Sequence, residues 1–313
     1  MTRVVIPDDY PEVLGKSPSL DRLRERFEVA YYNSLPGSEA TLVERLQDAD
    51  AAINIRSSTK ITASVFARLP RLKMLSIWGT GTDNVDLAAA RERGIRVTNT
   101  PAVAAASIAE HTLALLLAAA RRIPAIDAEV RAGKWPRGQM LQLSGKTLGV
   151  IGLGAIGRRF AKLGEGIGMK VLTWTMNPKP ELGFAHVELD RLLAESDAVS
   201  LHLRLSDQTR NFLNASRLAQ MKPGAILVNT ARGPIVDEAA LIAALESGRL
   251  RAAGLDVFDQ EPLPPDHPIT KLPNVVLSPH NAGVTAEALE AGLALAVDNV
   301  FAFHEGRVQH AVA

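Results

Sequence analysis

Val150-Ile151-Gly152-Leu153-Gly154-Ala155-Ile156-Gly157 decides how this chain folds. It is a G-x-G-x-x-G motif set directly after an apolar run of strand length, 147–151, and at the start of a helical period. Each glycine has its own physical reason. Gly152 permits the tight strand-to-helix turn. Gly154 lets the backbone approach a pyrophosphate where a Cβ would intrude, and Gly157 lets the helix pack closely on the strand. The helix start then offers unpaired N–H groups and the positive end of its dipole to phosphates. A glycine-rich turn alone is common in proteins that bind nothing. Here a strand precedes it, a helix follows, and a next strand ends near Trp174, a context that points to a dinucleotide.

The same alternation extends in both directions. Downstream, strand-length runs recur at 170–174, 198–202, 225–229, 252–256 and 275–277, separated by helical stretches or loops. With 147–151 they make six, and six strands joined by crossovers imply a parallel, doubly wound sheet. Upstream, runs at 4–6, 27–31, 51–55, 72–77 and 96–98 alternate with amphipathic stretches at 20–26, 39–47, 63–69 and 86–93. Ser38 before Glu39 and Thr62 before Ala63 are helix-start signals. Pro101 precedes a long helix over 107–121, Pro124 opens another that closes near Gly133, and a last amphipathic helix is expected over 286–304. The expected fold is α/β: two doubly wound, Rossmann- or flavodoxin-like parallel-sheet domains with a cleft between them. Residues 1–98 and 286–313 form the first domain and 99–285 the dinucleotide-binding one, so that two chain crossings make a hinge.

Composition narrows the function. The chain has 313 residues, 47% hydrophobic and only 4% aromatic, so aliphatic packing of helices on buried sheets dominates. Lys and Arg total 35 against 34 acids, a net charge of +1 that gives no electrostatic footprint for nucleic acid or an anionic membrane. There is no cysteine, hence no disulfide framework, thiolate chemistry or Cys-rich zinc site. His186, His202, His267 and His280 have no ligand-like spacing, so no metal is expected. The run at 4–6, followed by Pro7, Asp8 and Asp9, is a first strand and not a signal peptide. The most apolar stretch, 102–120, is interrupted by Ser107, Glu110 and His111, which suits a buried helix better than a membrane span. A cytoplasmic location is expected.

The residues that choose between NAD and NADP follow the second strand of the dinucleotide unit. An acid commonly stands there, about 20 residues on, and bonds the ribose 2′-OH of NAD. This chain has Thr175-Met176-Asn177 instead, so nothing repels a 2′-phosphate. Thr175 or Asn177 can still bond a 2′-OH, and Lys179 is near. The expectation is tolerance of both cofactors.

Ionisable residues gather at three later strand ends. They lie in Asn229-Thr230-Ala231-Arg232-Gly233, in Asp256-Val257-Phe258 with Glu261-Pro262, and in Pro279-His280-Asn281-Ala282-Gly283. Loops after the C-terminal ends of a doubly wound sheet line its ligand crevice. Taken singly, Arg232 reads as a surface cation, Glu261 as a solvated loop acid, and Asp256 and His280 as caps. Their succession after a dinucleotide motif points instead to one site.

In these segments the chain resembles the D-isomer-specific 2-hydroxyacid dehydrogenases. The likeness spans nearly the whole chain, including Gly79-Thr80-Gly81-Thr82-Asp83-Asn84-Val85-Asp86, Asn99-Thr100-Pro101 and Gly145-Lys146-Thr147-Leu148-Gly149. It implies that Arg232 binds the substrate carboxylate, His280 is the general acid/base at the 2-oxygen, and Glu261 is its partner. It implies too that Thr80 and Gly81 offer N–H groups to the carboxylate and that Asp256 orients the nicotinamide carboxamide. The expected cofactor contacts are Gly152, Gly154, Ala155, Ile156, Gly157, Thr175, Met176, Asn177, Leu203, Arg204, Thr209, Thr230, Ala231, Asp256 and Gly283. General chemistry agrees: the cofactor carries the hydride, histidine suits proton delivery near neutral pH, and arginine's planar fork suits a carboxylate.

Departures from the family pattern open further questions. The family often has His-x-Pro-Leu where this chain has His202-Leu203-Arg204-Leu205, so Arg204 is either a solvated cation or a partner for a 2′-phosphate. Arg56, Ser57 and Lys60 follow a first-domain strand, and the similar stretch in D-3-phosphoglycerate dehydrogenases is basic and faces the substrate. Glycerate, hydroxypyruvate, glyoxylate and 3-phosphoglycerate all remain open. Family members usually form homodimers through the cofactor domain, so the 102–120 helix and the segment to Leu141 are interface elements or ordinary core. Two other functions share the layout. Formate dehydrogenases use Gln where Glu261 stands, and an NADH-sensing, corepressor-like scaffold shows the same triad without turnover.

Overall fold

The computed structural model describes residues 2–178 and 183–313. Its first unit is built on five parallel strands: β1 (Arg3–Ile6), β2 (Glu28–Tyr31), β3 (Ala51–Asn54), β4 (Met74–Ile77) and β5 (Arg96–Thr98). Their order is β2-β1-β3-β4-β5. β3 and β4 are buried at every residue, as expected of central parallel strands covered on both faces. The connecting helices are α1 (Pro18–Arg26), α2 (Glu39–Leu46), α3 (Ala63–Ala67) and α4 (Leu87–Glu92). Ser17, Ser38, Thr62 and Asp86 cap them, each accepting a backbone N–H of the first turn. Asp86, expected inside α4, is thus its cap. One sheet face is covered by Leu42, Leu46, Val65 and Phe66. The other is covered by α1 and by the last helix, Ala286–His304, through Leu293, Ala296, Val297 and Val300.

The second unit begins with α5 (Ala105–Arg121) and α6 (Ile123–Arg131). There follow β6 (Thr147–Ile151), α7 (Ala155–Gly166), β7 (Lys170–Trp174), β8 (Ala185–His186), α8 (Leu189–Glu195) and β9 (Ala198–Leu201). It ends with α9 (Ala215–Gln220), β10 (Ala225–Asn229), α10 (Glu238–Glu246), β11 (Leu250–Leu255) and β12 (Val275–Leu277). The seven strands are parallel in the order β12-β11-β10-β9-β6-β7-β8. The order turns back on itself at β6, which pairs with both β7 and β9. That switch point is where an open α/β sheet takes its ligand.

Six strands were expected here and seven are present among the described residues. β8 is only two exposed residues long, too short to show an apolar period, and it joins through pairing of Leu172 with Ala185 and Thr173 with His186. The apolar residues of α5 belong to the core: Ala109, Leu115, Leu116, Ala119 and Ala120 are all buried in one cluster with Val150, Ile226 and Val228. Gly254 of β11 lets this helix come close, since a Cβ there would stand 2.9 Å from Leu115 Cβ.

The two units comprise residues 1–104 with 284–313, and residues 105–283. The boundaries lie a few residues from the expected 98/99 and 285/286. Among the described residues no helix is long and apolar enough to cross a membrane.

Candidate active site

The glycine turn has the geometry its sequence implies. Gly152 sits at φ +100°, and a Cβ there would lie 2.5 Å from His202 O. At Gly157 a Cβ would lie 1.9 Å from Gly152 O, so helix and turn touch backbone to backbone. Gly154 differs: a Cβ would meet nothing within 4 Å. It is the N-cap of α7 and brings no side chain to the amides of the first turn. The α7 N-terminus, with Ala155 and Ile156 in its first turn, is therefore an open cradle with its N–H groups unclaimed by a cap, which fits a pyrophosphate. His202 closes the turn from the β9 side. Burial pushes its pKa down to about 3, so the ring is neutral, and its Nε2 lies 3.0 Å from Ser200 Oγ.

The other expected cofactor residues lie at the neighbouring strand ends. Thr175, Met176 and Asn177 follow β7, with Met176 and Asn177 exposed. Lys179 lies outside the described residues. Leu203 and Arg204 follow β9, and Arg204 is exposed. Thr209 is buried, and its hydroxyl donates to Arg204 O at 2.6 Å and accepts from Ser206 N at 2.8 Å, so it shapes that loop from within. Thr230, after β10, is buried with its hydroxyl 2.9 Å from Thr112 Oγ1.

The three ionisable segments converge within the second unit. His280 Nδ1 and Glu261 Oε2 are 2.7 Å apart, and Glu261 Oε1 accepts from Phe258 N at 3.0 Å. Partial burial pushes the Glu261 pKa up. The hydrogen bond and charge of His280, the Phe258 amide and the Arg232 charge outweigh it and hold the carboxyl below its ordinary range. Arg232 extends from the end of β10. Asn229 fixes its backbone by donating Nδ2 to Arg232 O at 2.9 Å and accepting from Ala231 N at 3.0 Å.

Asp256 is fully buried, and its carboxylate accepts from Asn281 N and Ala282 N, each at 2.9 Å. Its carbonyl accepts from His280 N at 2.8 Å. Asp256 thus holds the loop that presents His280. Gly283 ends this loop.

Sequence reading missed Gly233. A Cβ there would lie 2.0 Å from Phe258 C, so the Arg232 loop and the Glu261 loop are in backbone contact. The Arg-Gly-Pro run was visible, but the partner segment lies too far along the chain for spacing to reveal it. His111, Ser107 and Thr112 of α5 were missed as site neighbours for the same reason.

In the first unit, Asp8 is buried at the end of β1 and accepts from Ile55 N at 2.9 Å and Arg56 N at 3.0 Å. It anchors the loop bearing Arg56 and Ser57. Burial raises its pKa despite these bonds. The Arg56 guanidinium bonds Pro11 O and lies 3.9 Å from Asp9 Oδ1. Lys60 Nζ reaches Ser57 O at 3.3 Å. Thr80 and Gly81 lie in a loop that Asn99 Nδ2 fixes through Thr80 O at 2.9 Å and Thr100 Oγ1 fixes through Gly79 N at 2.7 Å.

Known proteins resemble this chain in sequence and fold. Residues 113–282 match the family profile described as D-isomer specific 2-hydroxyacid dehydrogenase, NAD binding domain. A glyoxylate reductase of Korarchaeum cryptofilum is 40% identical over 317 residues, 98% of this chain and 94% of that protein. An acyclic imino acid reductase solved with NADPH and D-Arg superposes with a TM-score of 0.92 at 30% identity, covering 100% of both chains. A D-lactate dehydrogenase of Aquifex aeolicus, solved with NAD and lactic acid, gives 0.87 at 31% identity, covering 97% of this chain and 96% of its own.

Proposed function

This chain belongs to the D-isomer-specific 2-hydroxyacid dehydrogenase family, and from that premise we propose that it reduces a small, unphosphorylated 2-oxo acid of the glyoxylate and hydroxypyruvate class. The observation that carries the reading is the 2.7 Å His280–Glu261 pair, set beside Arg232 at the strand ends beyond the dinucleotide turn. A nicotinamide cofactor, when bound, supplies the hydride. Gly154 and the first turn of α7 hold its pyrophosphate.

This chain's residues do the rest. Glu261 takes the Nδ1 side of His280, which leaves Nε2 to face substrate. As hydride adds to C2, the carbonyl electron pair moves onto the 2-oxygen, and His280 Nε2–H delivers the proton there. His280 ends neutral and recovers its proton from solvent. Arg232 binds the substrate carboxylate with its planar fork. Arg56 is already engaged with Pro11 O and Asp9 within its own unit, which favours an acid without a phosphate.

With no acid at Thr175, Met176 or Asn177 and with Arg204 exposed, both NAD and NADP are accepted. A preference for NAD above about a thousandfold in kcat/KM would overturn this. A homodimer follows from α6, which buries none of its residues in this chain, and from Ile123, Val130 and Trp135, which are 56%, 42% and 77% exposed. A second copy covers that face. The setting proposed for this chemistry is the cytoplasm.

The decisive assay follows reduced-nicotinamide absorbance with glyoxylate, hydroxypyruvate, 3-phosphohydroxypyruvate, pyruvate and phenylpyruvate. The expected result is oxidation of NADH and NADPH with one of the first two in preference to the phosphorylated acid. Cofactor binding with no turnover on any acid would refute the reading and favour a redox-sensing scaffold.

A further inference from the structure

α5 turns a polar face towards all three loops that carry the site. Ser107 Oγ donates to Ala282 O at 2.7 Å, after β12. Thr112 shares its 2.9 Å hydroxyl contact with Thr230, after β10. Between them His111 Nε2 lies 3.5 Å from Asp256 Oδ1, after β11. At 3.6 residues per turn, positions 107 and 111 are i,i+4 neighbours on one stripe of the helix, and 112 lies about 100° further round. His111 Nε2 is buried and has no hydrogen-bond partner among the described residues, with the Asp256 carboxylate as the acid set against it.

Asp256 leads from there to the acid. Its Oδ1, the oxygen nearest His111, also accepts Asn281 N, and its carbonyl accepts His280 N. His280 is held at φ +56°, a left-handed backbone that a non-glycine residue keeps only when its surroundings impose it.

We propose that His111 is a positioning residue for His280, acting through Asp256. His111 fixes the Asp256 carboxylate so that it accepts both loop amides, and the loop then holds His280 in line with Glu261. The charged groups set against this chain of contacts are Asp256 facing His111, Glu261 facing His280, and Arg232 acting on Glu261. The proposal rests on the reading of His280 as the proton donor.

The test uses the full-length protein and compares His111→Ala, His111→Gln and His280→Asn. It measures kcat and KM for the preferred 2-oxo acid across pH, with NAD(P)H affinity followed by fluorescence. His111→Ala should lower kcat about tenfold or more while cofactor affinity stays within about twofold. The basic limb of the reduction profile should move, because the loop no longer holds His280 in line with Glu261. His111→Gln, whose amide N–H can still meet Asp256, should restore most of the rate and the limb. An unmoved limb with kcat within about twofold would overturn the proposal, as would a parallel loss of cofactor affinity and rate that Gln does not rescue. If His111→Ala does not fold, His111→Leu, which fills the space without offering Asp256 a donor, takes its place and is read by the same outcomes. His280→Asn separates the two ideas, since turnover surviving there sinks the donor role itself.

Discussion

Gly233 shows how little room the site leaves between its loops. A methyl group there must displace the Phe258 carbonyl carbon, 2.0 Å away, so Gly233→Ala forces the Arg232 and Glu261 loops apart. Overpacking of this kind costs about 1–3 kcal/mol. Thermal melts should show that loss, and kcat/KM should fall further than stability alone explains; an unchanged kcat/KM would mean that loop contact does not set the geometry. Glu261 gives a pH prediction. Its folded-state pKa lies below the ordinary carboxylate range, so its contribution to stability is present above that range and is lost as pH falls through the lowered pKa. Glu261→Gln should flatten that part of the Tm–pH curve. In reduction it should also move the basic limb of kcat to lower pH, and a limb that stays put would remove Glu261 as the partner of His280. At this scale Arg232, Glu261 and His280 were legible because each sits just past a strand end. Gly233 and His111 were not, because what each touches lies on a distant segment.

Among the elements, the cofactor proposal rests on α7 and the positioning of His280 on α5. Space for a Cβ at Gly154 is open in the protein, so Gly154→Val should fold normally yet fill the place meant for phosphate. NAD(P)H fluorescence titration should show at least about a hundredfold loss of affinity, roughly 2.7 kcal/mol. Retained affinity would move the pyrophosphate elsewhere. Gly254→Ala acts where α5 packs on β11. Its Cβ meets Leu115 Cβ at 2.9 Å and backbone at 3.3 Å, lifting α5 from β11 and with it His111 from Asp256. Stability should drop by about 1–3 kcal/mol. Helix caps were legible in advance, as Ser38 and Thr62 show, because capping is a local affair of three residues. β8 was not, because two residues carry no period and only pairing with β7 makes them a strand.

For the whole molecule, two parallel sheets could be read from alternating runs alone, since parallel strands need crossovers and crossovers fix the winding. The surface could not be read so directly: the apolar 102–120 stretch proved to be core, while Ile123, Val130 and Trp135 stand exposed. Trp135→Glu should therefore convert a dimer to a monomer in light scattering while leaving the chain folded. A dimer that survives it would place the interface on another face.

The first unit is assembled from two separated pieces of chain, 1–104 and 284–313, with the whole second unit between them. Its sheet reaches the ribosome exit early, but the helix that covers β1, β3 and β4 through Leu293, Ala296, Val297 and Val300 arrives roughly 180 residues later. At about 5–20 residues per second, that delay is on the order of ten to forty seconds. Throughout it, the face bearing Val4, Ile6, Ile53 and Met74 has α1 but not the last helix over it, and the uninterrupted second unit closes around its own core before that cover is complete. A nascent chain stalled when residue 283 has just cleared the ribosome exit tunnel should therefore bind NADH and at the same time recruit a holdase chaperone to its N-terminal third.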